Sequence, residues 1–191
     1  MDISDTREHI LKVAMHIFSK FGFQKTTVDE IAKAAHKAKG SVYYYFRNKE
    51  ELFQNVVEKE FSTLQRELIR AVEEGETGKM KLTNYIIIRM KVLGELSNMY
   101  EALKNEYLNY LGFVEKIREK YNNEELTLVK SILVTGMKNG EFEQNDENQT
   151  AFVIVRALKG FEVPIMVGSH PAVEEKPEFL VHILLKGIEK R

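Results

Sequence analysis

Between Thr27 and Lys49 the chain carries side chains suited to non-covalent chemistry on a polyanion. Lys37, Lys39 and Lys49 supply ammonium donors, Thr27 and Ser41 supply hydroxyls, and Tyr43 and Tyr44 supply aromatic edges with a polar tip. Gly40 leaves open a place where any side chain would obstruct close approach. Ammonium and hydroxyl groups suit phosphate oxygens, lysine also suits the acceptors of guanine, and an aromatic edge can touch a thymine methyl. No catalytic set accompanies them. The chain has no cysteine, no GxSxG elbow and no HExxH, and its five histidines are scattered without carboxylates arranged around them. His9 and His16 share a helical face, but a spacing of seven residues puts them about 10 Å apart, too far to share one metal. Neither an enzyme, nor a cofactor, nor a metal centre is expected.

The elements that must hold these side chains are short helices. Thr27 with Glu30 has the form of a capping box, in which the hydroxyl takes an orphan amide and the carboxylate reaches back to the cap. Val28, Ile31, Ala32 and Ala35 then recur at spacings of three and four, the apolar face of one helix. A turn falls at about Ala35-His36-Lys37. After it Val42, Tyr45 and Phe46 share an inward face, while Lys37, Gly40, Ser41, Tyr43 and Tyr44 project from the other. The run Tyr43-Tyr44-Tyr45-Phe46 is therefore half core and half surface. Asn48 with Glu51 marks the start of a further helix. Two short helices joined by such a turn make a helix-turn-helix, whose second helix enters the DNA major groove.

Thr27, Ile31, Ala32, Ala35, Lys39-Gly40-Ser41, Val42, Tyr43-Tyr44-Tyr45-Phe46 and Asn48-Lys49-Glu50-Glu51-Leu52 together closely resemble the DNA-binding end of the tetracycline-repressor (TetR) family of bacterial transcriptional regulators. The resemblance covers about the first quarter of the chain. It implies that Thr27, Lys37, Lys39, Gly40, Ser41, Tyr43, Tyr44 and Lys49 touch DNA, with Thr27 and Lys49 anchoring phosphates. The family usually has Gly-Val-Ser in the turn, where this chain has His36-Lys37-Ala38. Glycine there tolerates positive φ, and histidine is among the few other residues enriched in that region.

Charge agrees with this reading in its distribution, not in its sum. The net charge is −1, but residues 1–50 carry nine Lys/Arg against six Asp/Glu, and the remainder carries nineteen against twenty-three. A basic head on an acidic body suits a DNA-binding domain with a separate partner domain. At 191 residues with 43% hydrophobic and 30% charged side chains, the chain reads as a soluble globular protein. Without cysteine it cannot form disulfides, and it shows neither a signal peptide nor an apolar run near the roughly 20 residues needed to span a bilayer. A cytoplasmic location is expected, with no membrane partner.

The expected fold is all-α: a three-helix helix-turn-helix head over residues 1–48, joined by a long helix to a helical ligand-binding and dimerisation domain over 49–191. The first helix runs from about Asp5, with Glu8 as capping partner, to Phe21, burying Ile10, Ala14, Ile17 and Phe21 and closed by Gly22. The long helix covers about Lys49 to Glu73. A break at 75–78 precedes helices at about Lys79–Leu93 and Ser97–Gly112, then Phe113–Tyr121 as a short helix or the continuation of the one before it, and a helix at Glu124–Asn139. Asp146 caps a helix reaching about Val163, and Pro177 opens the last one.

That last helix is apolar most of the way round, which requires burial on two sides. Either a large internal core takes both, or a second copy takes one. The resemblance favours a homodimer through a four-helix bundle, with Val155, Leu158, Val181, Leu184 and Ile188 at the interface. Methionine and tyrosine suit a small-molecule pocket as well as a plain core. On the resemblance, Met90, Tyr107 and Tyr110 are expected to line a pocket for an unidentified effector. The whole then reads as a ligand-responsive repressor that binds a pseudo-palindromic double-stranded operator and is released by a small molecule. The alternative is a constitutive DNA-binding dimer without small-molecule control.

Overall fold

The computed structural model of the chain describes residues 3–93, 95–96, 113–160 and 177–190. Among them are eight α-helices and one isolated β-bridge: α1 (Ile3–Phe21), α2 (Val28–Ala34), α3 (Lys39–Tyr45), α4 (Lys49–Glu73), α5 (Gly78–Leu93), α6 (Phe113–Lys138), α7 (Glu147–Gly160) and α8 (Pro177–Ile188). The expected helix Ser97–Gly112 with Tyr107 and Tyr110, and the segment from Phe161 to the loop before Pro177, lie outside the described residues. None of the described helices is long and apolar enough to cross a membrane.

Two compact units emerge: Met1–Ser62 with Ser97–Ile117, and Thr63–Leu96 with Arg118–Arg191. The division between them falls inside α4. The reason lies in the core of the first unit. Phe53 of α4 meets Phe18 of α1 edge-on at 5.0 Å between centroids, and Phe23, just past α1, lies 5.0 Å from Phe53 and 6.0 Å from Phe18. All three rings are fully buried, together with Leu52, Val56 and Val57. Aromatic pairs contribute about 0.5–1.5 kcal/mol each beyond the area they bury. The first turns of α4 are thus part of the head. Arg7 donates to Asn55 and lies 5.0 Å over the Phe46 ring, and Lys59 pairs with Glu8 at 2.7 Å.

Two expectations about α1 are corrected here. The helix starts at Ile3, so Asp5 sits within the first turn and Glu8 bonds Lys59 instead of a cap. Phe21 is 54% exposed. Gly22 adopts φ 78° and turns the chain, so Phe23 takes the core position that the stripe would assign to Phe21. The end of α3 and the start of α4 follow the sequence closely. Asn48 accepts the amide of Glu51 at 2.7 Å, and Glu51 accepts the amide of Arg47 at 2.7 Å.

In the second unit α5 packs against α8 and is tied to α6. Phe113–Tyr121 and Glu124–Asn139, expected as separate segments, are the single helix α6. Val129, Ile132 and Leu133 of α6 and Leu82, Tyr85 and Ile86 of α5 are all fully buried. A polar knot joins the two helices: the Tyr85 hydroxyl and the Arg89 Nε both donate to one oxygen of Glu125, at 2.7 and 2.6 Å. Burial, followed by the adjacent Glu125 carboxylate, pushes the Tyr85 phenol well above its ordinary range, so it stays a donor. Asp146 caps α7 by accepting the amides of Asn148 and Gln149, both at 2.9 Å.

A corner of small residues closes this unit. A Cβ on Gly136 would lie 2.1 Å from the ring of buried Phe142, and one on Gly78 would lie 2.5 Å from the Gly136 Cα. Glu141 accepts the amides of Gly78 and Lys79 at 3.1 and 2.9 Å, capping α5 from a distance in sequence. The chain around Phe142 forms a short antiparallel bridge with Glu189 after α8, fastened by the Glu143 amide on the Ile188 carbonyl at 2.9 Å.

Gly136→Ala should cost about 1–3 kcal/mol, the usual penalty for overpacking a filled core. Denaturant unfolding of the full chain will measure it, and a wild-type midpoint would contradict the packing described. A second expectation concerns acid. Partial burial pushes the Glu141 carboxyl up, but the Lys79 amide, Asn139 and the Gly78 amide together hold it below the usual carboxylate range. A lowered folded value contributes stability above the ordinary carboxylate range and loses it as pH falls through the folded value. The protection factors of the Gly78 and Lys79 amides, measured against the intrinsic rate at each pH, should therefore fall on acidification, and Glu141→Gln should show the lower protection already at neutral pH.

Candidate nucleic-acid interface

Thr27 is the N-cap of α2, in extended conformation with φ −112° and ψ 153°. Its Oγ1 accepts the Glu30 amide at 3.3 Å, while its own amide donates to Glu30 Oε2 at 2.8 Å. The capping box expected from the sequence is complete, and the Thr27 amide holds the Glu30 carboxyl below the usual range. Thr27 is thereby occupied at both its hydroxyl and its amide.

The other end of α2 is closed by a Schellman arrangement. His36 sits at φ 52°, the left-handed conformation that glycine more often supplies. Its amide donates to the Lys33 carbonyl at 3.1 Å and the Lys37 amide to the Ala32 carbonyl at 2.9 Å, satisfying two of the last carbonyls of α2. His9 of α1 reaches the Ala35 carbonyl with Nε2 at 3.2 Å, bracing the same turn. Histidine at this position thus takes the left-handed conformation and closes the helix. The helix that follows, α3, has Ala38 as its N-cap and no side-chain cap.

On α3 the inward face is Val42, with Phe46 just beyond the helix, both 1% exposed. Tyr45 is half-buried and lies against Tyr44, ring edge to ring face at 5.0 Å. Tyr43 is 42% and Tyr44 74% exposed. Gly40 is exposed with open space where a Cβ would stand, so it presents bare backbone. Ser41 is half-buried beside it. Lys39 pairs with Asp29 of α2 at 2.9 Å, and that carboxylate raises the lysine pKa. Both side chains are more than half exposed, so the pair is weakly held. Lys37 is half-buried in the turn.

Tyr43, Tyr44, Gly40 and Lys39 are therefore brought to the surface of α3, as their spacing suggests. Lys49 is placed differently. Its Nζ donates to the backbone carbonyls of Phe23 and Thr26, at 2.9 and 3.1 Å, and lies 4.3 Å from the Phe23 ring centroid. Asp29 is the residue that sequence reasoning overlooked. It stands ten positions before Lys39, and only the turn between α2 and α3 brings the two together.

In the second unit Met90 is buried on α5, one residue from Arg89, while Tyr107 and Tyr110 are outside the described residues. Val155, Leu158 and Val181 are covered within the chain itself, and Leu184 and Ile188 are half-buried. Among the described residues, the large apolar side chains left exposed there are Phe152 and Val153 on α7 and Phe179 and Ile183 on α8, with Met80 on α5 and Ile69 on α4. Among the described residues no group of three or more His, Cys, Asp or Glu is placed to hold a metal ion.

A family model described as bacterial regulatory proteins, tetR family, matches residues 10–56, which span most of α1 to the first turns of α4. The transcriptional regulator QacR of Staphylococcus aureus is 30% identical over 156 residues, covering 81% of this chain and 82% of its own. A TetR-family transcriptional regulator from Mesorhizobium loti superimposes with a TM-score of 0.81 over the full length of both chains at 17% identity, a likeness of fold. FadR of Bacillus subtilis, solved in complex with stearoyl-CoA, superimposes with a TM-score of 0.67 at 21% identity, over 94% of this chain and 95% of its own. The resemblance in the head therefore extends through both units, and the chain belongs to the TetR family of bacterial transcriptional regulators.

Proposed function

We propose that this regulator is a repressor that binds a pseudo-palindromic operator as a homodimer and releases it when a small molecule binds the second unit. The observation that carries the DNA-binding part is the outer face of α3. Tyr44 is three-quarters exposed, Tyr43 stands beside it and Gly40 offers bare backbone, although Val42 and Phe46 already fill the core behind them. Tyr44 touches the Tyr45 ring but stays three-quarters exposed, and Tyr43 is 42% exposed. In a major groove each can reach a base edge or phosphate while Gly40 lets the backbone approach. Lys39 joins them by exchanging Asp29 for a phosphate, and Ser41, Lys37 and the N-terminal turn of α2 at Thr27 flank them.

Dimerisation is supported by the exposed apolar side chains of α7 and α8. Regulators of this family act as dimers, and burying a phenylalanine against a second copy is worth about 1.5–3 kcal/mol. The interface then centres on Phe152, Val153, Phe179 and Ile183, with Leu184 and Ile188 at its edge, and Val155, Leu158 and Val181 behind it. Effector control is supported by the likeness to FadR, whose structure holds stearoyl-CoA. A largely apolar molecule beside Met90, and beside Tyr107 and Tyr110, fits this reading. The effector must favour the DNA-free state, since equal affinity for both states shifts nothing.

Selection of duplexes from a random-sequence library by the purified protein is the direct test. Enrichment of an inverted repeat with half-sites one helical turn or a multiple apart is expected, and recovery of no sequence would sink the proposal. On the selected duplex Tyr44→Ala should lose about 1–3 kcal/mol of binding energy; full affinity would remove α3 from the interface. Phe179→Glu should yield monomers by sedimentation with unchanged helical content, because Phe179 is 65% exposed in the single chain. An intact dimer would place the interface elsewhere.

A further inference from the structure

Asp29 is out of keeping with a surface that meets a polyanion. From Thr27 to Lys49 the basic residues are Lys33, Lys37, Lys39, Arg47 and Lys49, and the acidic ones are Asp29 and Glu30. Glu30 is used by the cap of α2, where it accepts the Thr27 amide and hydroxyl, both at 2.8 Å. Asp29 instead reaches across the turn, with its two carboxylate oxygens 2.9 and 3.1 Å from the Lys39 Nζ. Lys39 is the first residue of α3. The N-terminal residues of a recognition helix are the ones that contact base edges. The Asp29 carboxylate therefore stands beside the end of α3 that approaches the bases.

Both side chains of the pair are more than half exposed, so the pair does little for the fold. Its effect on DNA follows from charge. Once Lys39 leaves for a phosphate, the freed carboxylate is repelled by the phosphates around it and needs a donor to offset that repulsion. In the major groove the bases offer donors only as the amino groups of cytosine and adenine. Adenine sets the acceptor N7 beside its amino group, whereas cytosine presents a donor alone. Thymine and guanine oppose a carboxylate with O4, or with O6 and N7. We propose that Asp29 is a specificity-determining residue: released from Lys39, its carboxylate accepts from the N4 amino group of one cytosine in each half-site and disfavours other bases there. This rests on the DNA-binding reading above.

The test uses the full-length protein as wild type, Asp29→Ala and Asp29→Asn, each checked for folding by circular dichroism. All three select duplexes from a random library. The wild type should enrich cytosine at one position of each half-site, and Asp29→Ala should lose the preference at that position while keeping the others. On the wild-type duplex, changing that C·G pair to T·A in one half-site should weaken the wild type by about tenfold or more, the scale of one mismatched pair. The same change should leave the affinity of Asp29→Ala nearly unaltered. Asp29→Asn should shift the preference towards adenine, whose N6 and N7 a side-chain amide reads together.

Wild-type preferences at every position in Asp29→Ala would overturn the proposal. So would a uniform gain or loss of affinity across all duplexes, the mark of a carboxylate that acts through Lys39 alone. Should the alanine variant fail to fold, a cytosine preference retained by Asp29→Asn overturns the proposal equally. A wild type that selects no duplex fails the DNA-binding reading itself, which is a different outcome from an unchanged preference.

Discussion

The meeting of Phe18, Phe23 and Phe53 is the contact on which the head depends. Three rings from α1, the following turn and α4 exclude water from one point. Once they have packed, the path from Gly22 to Thr27 has little freedom. It must turn sharply at Gly22, bury Phe23, and reach the cap of α2 within four further residues. Backbone carbonyls in such a buried turn need donors. The Thr26 hydroxyl and the Lys49 ammonium meet that requirement, so the polar contacts follow from the apolar one.

Helix ends carry the next layer of order. Both α2 and α3 are seven residues long, too short to persist alone. α2 survives because each end is closed: the Thr27–Glu30 box at one, the left-handed His36 at the other. α3 lacks a side-chain cap and is held by its inward face, Val42 and Phe46. That division of labour leaves the outer face of α3 mostly exposed, apart from the Lys39–Asp29 pair and the Tyr44 ring against Tyr45. Its composition can therefore be set by what it touches.

The second unit solves a different problem. It brings α5 and α6 close enough at Gly78 and Gly136 for backbones to touch, and wedges the Phe142 ring against them. Farther along the same helix pair, an arginine, a tyrosine and a glutamate share one buried hydrogen-bonded knot. A buried ion pair adds little net stability, but removing one partner strands the other. Such a knot fixes how the two helices are matched more firmly than apolar contacts alone. Glu141 and the bridge at Phe142 and Glu189 extend that matching to the end of α8.

Much of this was legible in the amino-acid sequence, and for a common reason: the legible features are local. The Thr27 and Asn48 caps, the stop at Gly22, the left-handed position of His36, the extent of α4 and the two faces of α3 all depend on residues within one or two turns of each other. Sequence spacing determines those relations directly. What only the tertiary structure decided are relations across turns and between helices. Phe21 and Phe23 compete for one core position, and the choice depends on where the chain leaves α1. Lys39 finds Asp29 across a turn, while Lys49 finds carbonyls more than twenty residues away. The apolar face of α8 was apparent from composition, but which of its residues are spent inside the chain was not. Val181 is covered and Phe179 is open, because α5 lies on one side of that helix. Periodicity can say that a helix has two apolar faces. Only the neighbour packed against it determines which one is left for a partner.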